Sequence, residues 1–182
     1  MDLPRSFVVR ESSHRILNPF TAEKLVVLGR ILHLRAGMSV LDLASGKGEL
    51  LAASLTDISE TLLKEASARA SSAASPSEAL DALIEWHVDF ALDHPALIVV
   101  QDREWANLGE SARRDVRALQ LGYIDVWVDT VQALRPDLDH ATTRAAVQAT
   151  FGLLNSTPHS ARIRPPVMRA LLVEMARRAL AG

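Results

Sequence analysis

The chain has 182 residues, 48% hydrophobic and 23% charged, enough apolar matter to bury the core of one ordinary domain, which excludes a disordered tail. Its 20 Lys and Arg stand against 22 Asp and Glu, a net charge of -2, so no general electrostatic attraction draws it to nucleic acid or to an acidic membrane. It has no cysteine, which excludes a disulfide scaffold, Cys-ligated zinc and a thiol nucleophile, and suits a cytoplasmic protein.

The N-terminal Met1-Asp2-Leu3-Pro4-Arg5 carries no apolar stretch of the signal-peptide kind. Apolar runs such as Ala96 to Val100 are far shorter than the roughly 20 residues a membrane helix needs, so no membrane partner is expected. Thr21 can cap a helix with Leu25, Leu28, Ile31 and Leu32 on one side. After the turn signal Arg35-Ala36-Gly37 comes a short β-type run, Ser39 to Leu43, that enters Ala44-Ser45-Gly46-Lys47-Gly48-Glu49. Helix, strand and Gly-rich turn open a βα nucleotide-binding unit, because glycines let backbone amides approach a ligand closely.

From Leu50 onward the pattern is helical. Leu51, Leu55, Ile58, Leu62 and Ala66 repeat at helical spacing. Ser75-Pro76-Ser77-Glu78 has the form of a capping box with proline at the first helical position, and the helix it starts carries Leu80, Leu83, Ile84, His87 and Ala91 on one face. Asp93-His94-Pro95 interrupts it, and a short apolar helix follows from Ala96 to about Trp105. Asn107-Leu108-Gly109-Glu110 then opens the longest helix, lined by Val116, Leu119, Tyr123, Val126, Trp127, Thr130 and Leu134 and stopped by Arg135-Pro136. Asp139 can cap a helix through Ala145, Ala149, Gly152 and Leu153 to Asn155. After the turn Ser156 to Ser160, Pro165-Pro166 opens a last helix with a Met168, Leu171, Leu172, Met175 and Ala179 stripe. Helices with short connections predict a mainly α fold, a helical bundle preceded by a short helix-strand segment.

Two resemblances follow. His14 to Thr21, Glu23-Lys24-Leu25, Leu28-Gly29 and Val40 to Glu49 resemble the N-terminus of class I S-adenosylmethionine-dependent methyltransferases. That resemblance implies Asp42 near the cofactor's ammonium and the Gly46 and Gly48 amides beside it. It covers only about the first 50 residues, and Ala44 stands where that family usually has glycine. Lys47 to Leu51, Ala91-Leu92-Asp93-His94-Pro95, Arg103-Glu104-Trp105 and Phe151 to Ser160 resemble the C-terminal part of TetR-family transcriptional regulators, in matching helix order. The two resemblances divide the chain into an incomplete methyltransferase-like segment, 1–48, and a TetR-like ligand-binding and dimerisation domain, 49–182. No three-helix DNA-binding head fits before Lys47, so the chain alone is expected to make no direct specific contact with DNA.

The six histidines include no HExxH and no dense ligand spacing, so no metal is expected. His87 lies on an apolar face beside Trp86 and Phe90, where it is either a hydrogen-bonded core histidine or a polar group in a pocket. Trp105, Tyr123, Trp127 and Phe151 are the other large rings, and such rings fill cores as readily as they touch ligands. The TetR resemblance implies that they line an effector cavity, to which Gln101 and Asn155 add polar contacts, for a hydrophobic small molecule. It also implies a homodimer formed by the last two helices through Ala145, Ala149, Gly152, Met168, Leu171, Leu172 and Met175. No catalytic residues are expected. S-adenosylmethionine enters as a cofactor only under the methyltransferase alternative.

Overall fold

The computed structural model describes the backbone of residues 47–182 and the side chains of residues 51–182. The helix expected after Thr21, the strand at 39–43, and Asp42 and Gly46 lie outside the described residues. Seven α-helices and one 3₁₀ turn follow: α1 (Lys47–Ser72), α2 (Pro76–Asp93), α3 (Pro95–Glu104), the turn Trp105–Asn107, α4 (Glu110–Leu134), α5 (His140–Leu154), α6 (Thr157–Ser160) and α7 (Pro165–Ala181). There is no strand among the described residues. Lys47 and Gly48 are already helical, so the boundary expected between 48 and 49 falls inside the first turn of α1.

Local chemistry sets the helix ends. At α2 the Glu78 N–H donates to Ser75 Oγ at 3.2 Å, with Pro76 at the first position, where its missing N–H costs nothing. The Glu78 carboxylate turns back to accept from the Ala74 N–H at 3.1 Å, one residue earlier than in the usual reciprocal box. Asp139 caps α5 by accepting from the Thr142 N–H at 2.8 Å. At α4 the expected cap signal resolves differently: Gly109 is the N-cap and makes no side-chain cap bond, and Asn107 Nδ2 instead donates to Glu104 Oε2.

One junction is settled by chemistry distant in sequence. The Ala91 carbonyl, near the end of α2, would accept from the N–H of residue 95 in a continuous helix, but Pro95 has none. Thr157 Oγ1 donates to that carbonyl at 2.8 Å in a buried setting. A side chain from α6 thus replaces the missing backbone donor, as a buried carbonyl requires.

The helices close into a ring. α1 packs along α4, α4 along α5, α5 along α7, α7 along α2 and α2 on α1, while α2 and α4 also meet across the middle. Leu80, Leu83, Ile84 and Val88 of α2, Trp127, Val128 and Val131 of α4, Val147 and Leu154 of α5, and Leu172, Ala176 and Leu180 of α7 form the core, each at most 1% exposed. Each such Leu or Ile contributes roughly 1.5–3 kcal/mol relative to leaving it in water. A smaller cluster, Leu55, Leu108 and Val116 with Trp105 against it, joins α1 to the start of α4. The α2–α7 seam also carries ion pairs: Arg169 to Asp89 at 2.6 Å and to Glu85 at 3.6 Å, and Arg177 to Asp81 at 2.8 Å. Their side chains are 38–53% exposed, so they fix register more than they stabilise.

Two sequence expectations change. The buried face of α7 is Met168, Leu172, Ala176 and Leu180, whereas Leu171 and Met175 point outward at 46% and 41% exposure. Met168 and Leu172 are therefore part of the subunit's own core and not of an outer dimer face, because the sequence stripe mixed two sides of one helix. The turn expected at 156–160 contains one helical turn, α6.

Candidate functional site

A polar node sits in the middle of the bundle. His87 is buried on α2, with Nδ1 3.0 Å from the Tyr123 hydroxyl on α4 and Nε2 3.0 Å from Asn155 Oδ1 at the C-terminal end of α5. Phe151 lies 4.9 Å from both His87 and Trp127 between ring centroids, and Tyr123 stacks on Phe151 at 5.5 Å. Phe90 closes on His87 at 6.2 Å. Three helices thus supply one cluster of rings around one imidazole. His87 and Tyr123 are buried, Trp127 is wholly so, and Phe90, Phe151 and Asn155 are half-buried at its edge.

The electrostatics follow from burial. Desolvation pulls His87 down to about 4, opposed in part by its hydrogen bond to Asn155, so the imidazole is neutral at physiological pH. No ionised side chain contributes to that shift. Burial pushes the Tyr123 phenol far above its ordinary value, so it stays protonated. The Trp127 indole N–H is buried without a hydrogen-bond partner.

The sequence-predicted site residues divide. His87, Phe90, Tyr123, Trp127, Phe151 and Asn155 come together. Trp86 does not: it faces α1, where the Arg69 guanidinium sits 4.7 Å above its ring. Trp105 belongs to the smaller cluster, with Arg117 6.0 Å over its ring, so the expectation that it lines the same cavity is corrected. Gln101 lies on α3, away from the node's hydrogen bonds. For Trp86 the reason is helical phase: it precedes His87 by one residue, about a hundred degrees round the helix. Gly48 stands in the first turn of α1.

The α3 helix is unusual. Leu97, Ile98, Val99 and Val100 are all half-buried, and no residue of α3 is fully buried. It packs on α6, immediately after Asn155, and more lightly on α2. The periodicity of the sequence gave no sign of this, because a run apolar on every side reads as a buried helix. Two outward residues were also missed. Val167, 44% exposed, precedes Leu171 and Met175 at intervals of four and completes a second apolar stripe along α7, and Ile163, 48% exposed, lies in the turn just before that helix. Ala145, Ala149 and Gly152 are exposed on α5.

These features define an all-helical bundle with a polar node among aromatic rings. Residues 73–159 match the family model described as tetracyclin repressor-like, C-terminal domain. A TetR-family transcriptional regulator from Bordetella parapertussis 12822 superposes with a TM-score of 0.66 at 20% identity, over 76% of this chain and 73% of that one. A bacterial regulatory protein in the tetR family from Rhodococcus RHA1 gives 0.63 at 18% identity, over 84% of this chain and 83% of that one. At such identities the likeness is one of fold, and the fold is that of TetR regulators. Over 51 residues the chain is also 57% identical to the uncharacterized protein YjhP of Escherichia coli (strain K12), a stretch that is 28% of this chain and 21% of that protein. The chain thus spans about a fifth of that relative's length. Among the described residues no helix is long and apolar enough to cross a membrane.

Proposed function

We propose that the chain acts as the effector-binding and dimerisation part of a TetR-type transcriptional regulator, taking a hydrophobic small molecule beside the His87 node. The observation that carries this reading is the half-buried edge of that node, where Phe90, Phe151 and Asn155 offer two rings and an amide. A predominantly apolar site with a few placed polar groups is what a small-molecule pocket in a bundle requires. The route to a response is short. Tyr123 and Trp127 lie on α4, which packs along α1, and Ala66, Leu62 and Leu63 of α1 touch the same core. A ligand that prefers one arrangement of these helices shifts α1, the element leading to the N-terminal part of the chain.

The second apolar stripe supports assembly with another copy. Ile163, Val167, Leu171 and Met175 are four of the five large hydrophobics exposed among the described residues, the last three on one face of α7 and Ile163 in the turn before it. On α5, which packs on α7, the exposed small residues Ala145, Ala149 and Gly152 would permit close helix approach across a twofold axis. Thermal-shift screening of fatty acids, acyl-CoA esters, aromatic compounds and S-adenosylmethionine, together with sedimentation, tests the reading. Stabilisation by an apolar compound and a dimer are the expected results. A monomer at high micromolar concentration, or binding of S-adenosylmethionine alone, overturns it.

A further inference from the structure

The node has a direction, and the direction specifies the chemistry of its open end. Asn155 presents Oδ1 to His87 Nε2, so Nε2 carries the hydrogen and donates. Nδ1 of the neutral ring is then bare and accepts from the Tyr123 O–H. Tyr123 is buried, and His87 Nδ1 is the acceptor its hydroxyl reaches among the described residues. The reverse order fails. With the Asn155 amide turned, His87 Nδ1–H would donate to Tyr123, and the buried Tyr123 O–H would be left without an acceptor. The hydrogen bonds therefore run from Tyr123 through His87 to the Asn155 carbonyl oxygen. What remains at the half-buried edge is the Asn155 Nδ2 amino group, whose two N–H bonds reach no acceptor among the described residues.

We infer that this edge recognises an uncharged hydrogen-bond acceptor, the carbonyl of an ester, lactone, ketone or amide, on an otherwise apolar or aromatic molecule, with Asn155 Nδ2 donating to that oxygen and Phe90 and Phe151 holding the body. This rests on the effector-binding reading above and narrows it. The hydrogen-bond and ring partners of His87 are all uncharged, so neither a carboxylate nor an ammonium head finds a counter-charge in the node. A head that can only donate meets another donor. The hydrogen-bonded order also makes Asn155 the only one of its three members with capacity to spare.

The test uses two matched sets, methyl cinnamate, cinnamate and cinnamylamine, and methyl laurate, laurate and laurylamine, titrated calorimetrically into the full chain and into two variants. Asn155→Leu removes the donor. Asn155→Asp keeps an acceptor for His87 Nε2–H while replacing the free amino group by a carboxylate oxygen, so the node stays bonded and circular dichroism should match the parent. In at least one set the ester should bind the parent about tenfold more tightly than its acid or amine, and lose about tenfold in both variants. In Asn155→Asp the amine should become the preferred member. Tightest binding of an acid or amine by the parent, or an ester affinity unchanged in both variants, overturns the inference and leaves the effector reading standing. Failure of every member of both sets to bind the parent overturns the effector reading, and the inference falls with it.

Discussion

Acidification should destabilise this protein through His87 before its carboxylates titrate. The folded-state value of about 4 lies below the ordinary 6.5, so the unfolded chain takes up the proton first as pH falls. Stability is full above about pH 6.5, declines as pH drops below that, and the whole contribution is gone below about pH 4. A shift of that size at about 1.4 kcal/mol per unit corresponds to about 3 kcal/mol. For a chain of this length about 1 kcal/mol moves the melting midpoint by about 2–4 °C, so the His87 contribution should be worth about 10 °C. Melting curves by circular dichroism, taken at about pH 7 and about pH 4 for the parent and for His87→Gln, measure it.

Two other groups need separating from His87 in that assay. The Arg135 guanidinium beside Asp137, and the Thr142 N–H at Asp139, hold those carboxyls below their ordinary 3.8, so their stabilisation is lost only at still lower pH. Both are present in parent and variant alike, and the difference between the two proteins isolates the imidazole. His87→Gln should start less stable at neutral pH, having lost part of the link between Tyr123 and Asn155, and should then fall less on acidification. Equal drops in parent and variant would refute the reasoning: the imidazole would not be the group that burial holds neutral.

The two faces of α7 should separate cleanly: Leu172→Ala, in the core at 1% exposure, should cost about 2–5 kcal/mol in urea unfolding, while Leu171→Glu should leave a folded chain and abolish the proposed dimer in sedimentation. Removing the cap of α5 by Asp139→Ala should cost about 1 kcal/mol, read as a small fall in melting temperature. Gly152→Ala has open space around the new methyl and sits within a helix, so it should stabilise the isolated subunit by roughly 0.5–1 kcal/mol while weakening dimerisation in dilution experiments. Asp89→Asn should cost less than about 1 kcal/mol, an effect that added salt diminishes.

Much of the bundle was legible because its signals are local. The Ser75 and Asp139 caps, the Pro165 start and the stop at Arg135-Pro136 all name helix ends through backbone groups a few residues away. Periodicity located the buried line of α2 well, since Leu80, Leu83, Ile84, His87 and Ala91 fall on one side only. It failed on α7, where apolar residues occupy two sides and the pattern alone does not say which side meets the core. For the node, residue type nominated His87, Tyr123, Phe151 and Asn155, but their meeting depends on where α2, α4 and α5 cross. Trp86 and Trp105 look equally apt in sequence and were placed elsewhere by helical phase and by the separate cluster around Leu55.

The bond from Thr157 to the Ala91 carbonyl makes two distant positions answerable to each other. Pro95 creates a vacancy in the backbone and Thr157 fills it, so neither residue has a fixed value on its own. Valine at 157 has the shape of threonine and strands a buried carbonyl, yet with alanine at 95 an amide becomes available at that place and the hydroxyl turns redundant. A designer may alter both positions together with little harm and should not alter the threonine alone. The carbonyl at the α2–α3 bend thus has its donor only where α6 is docked, so the two positions are read together and not one at a time.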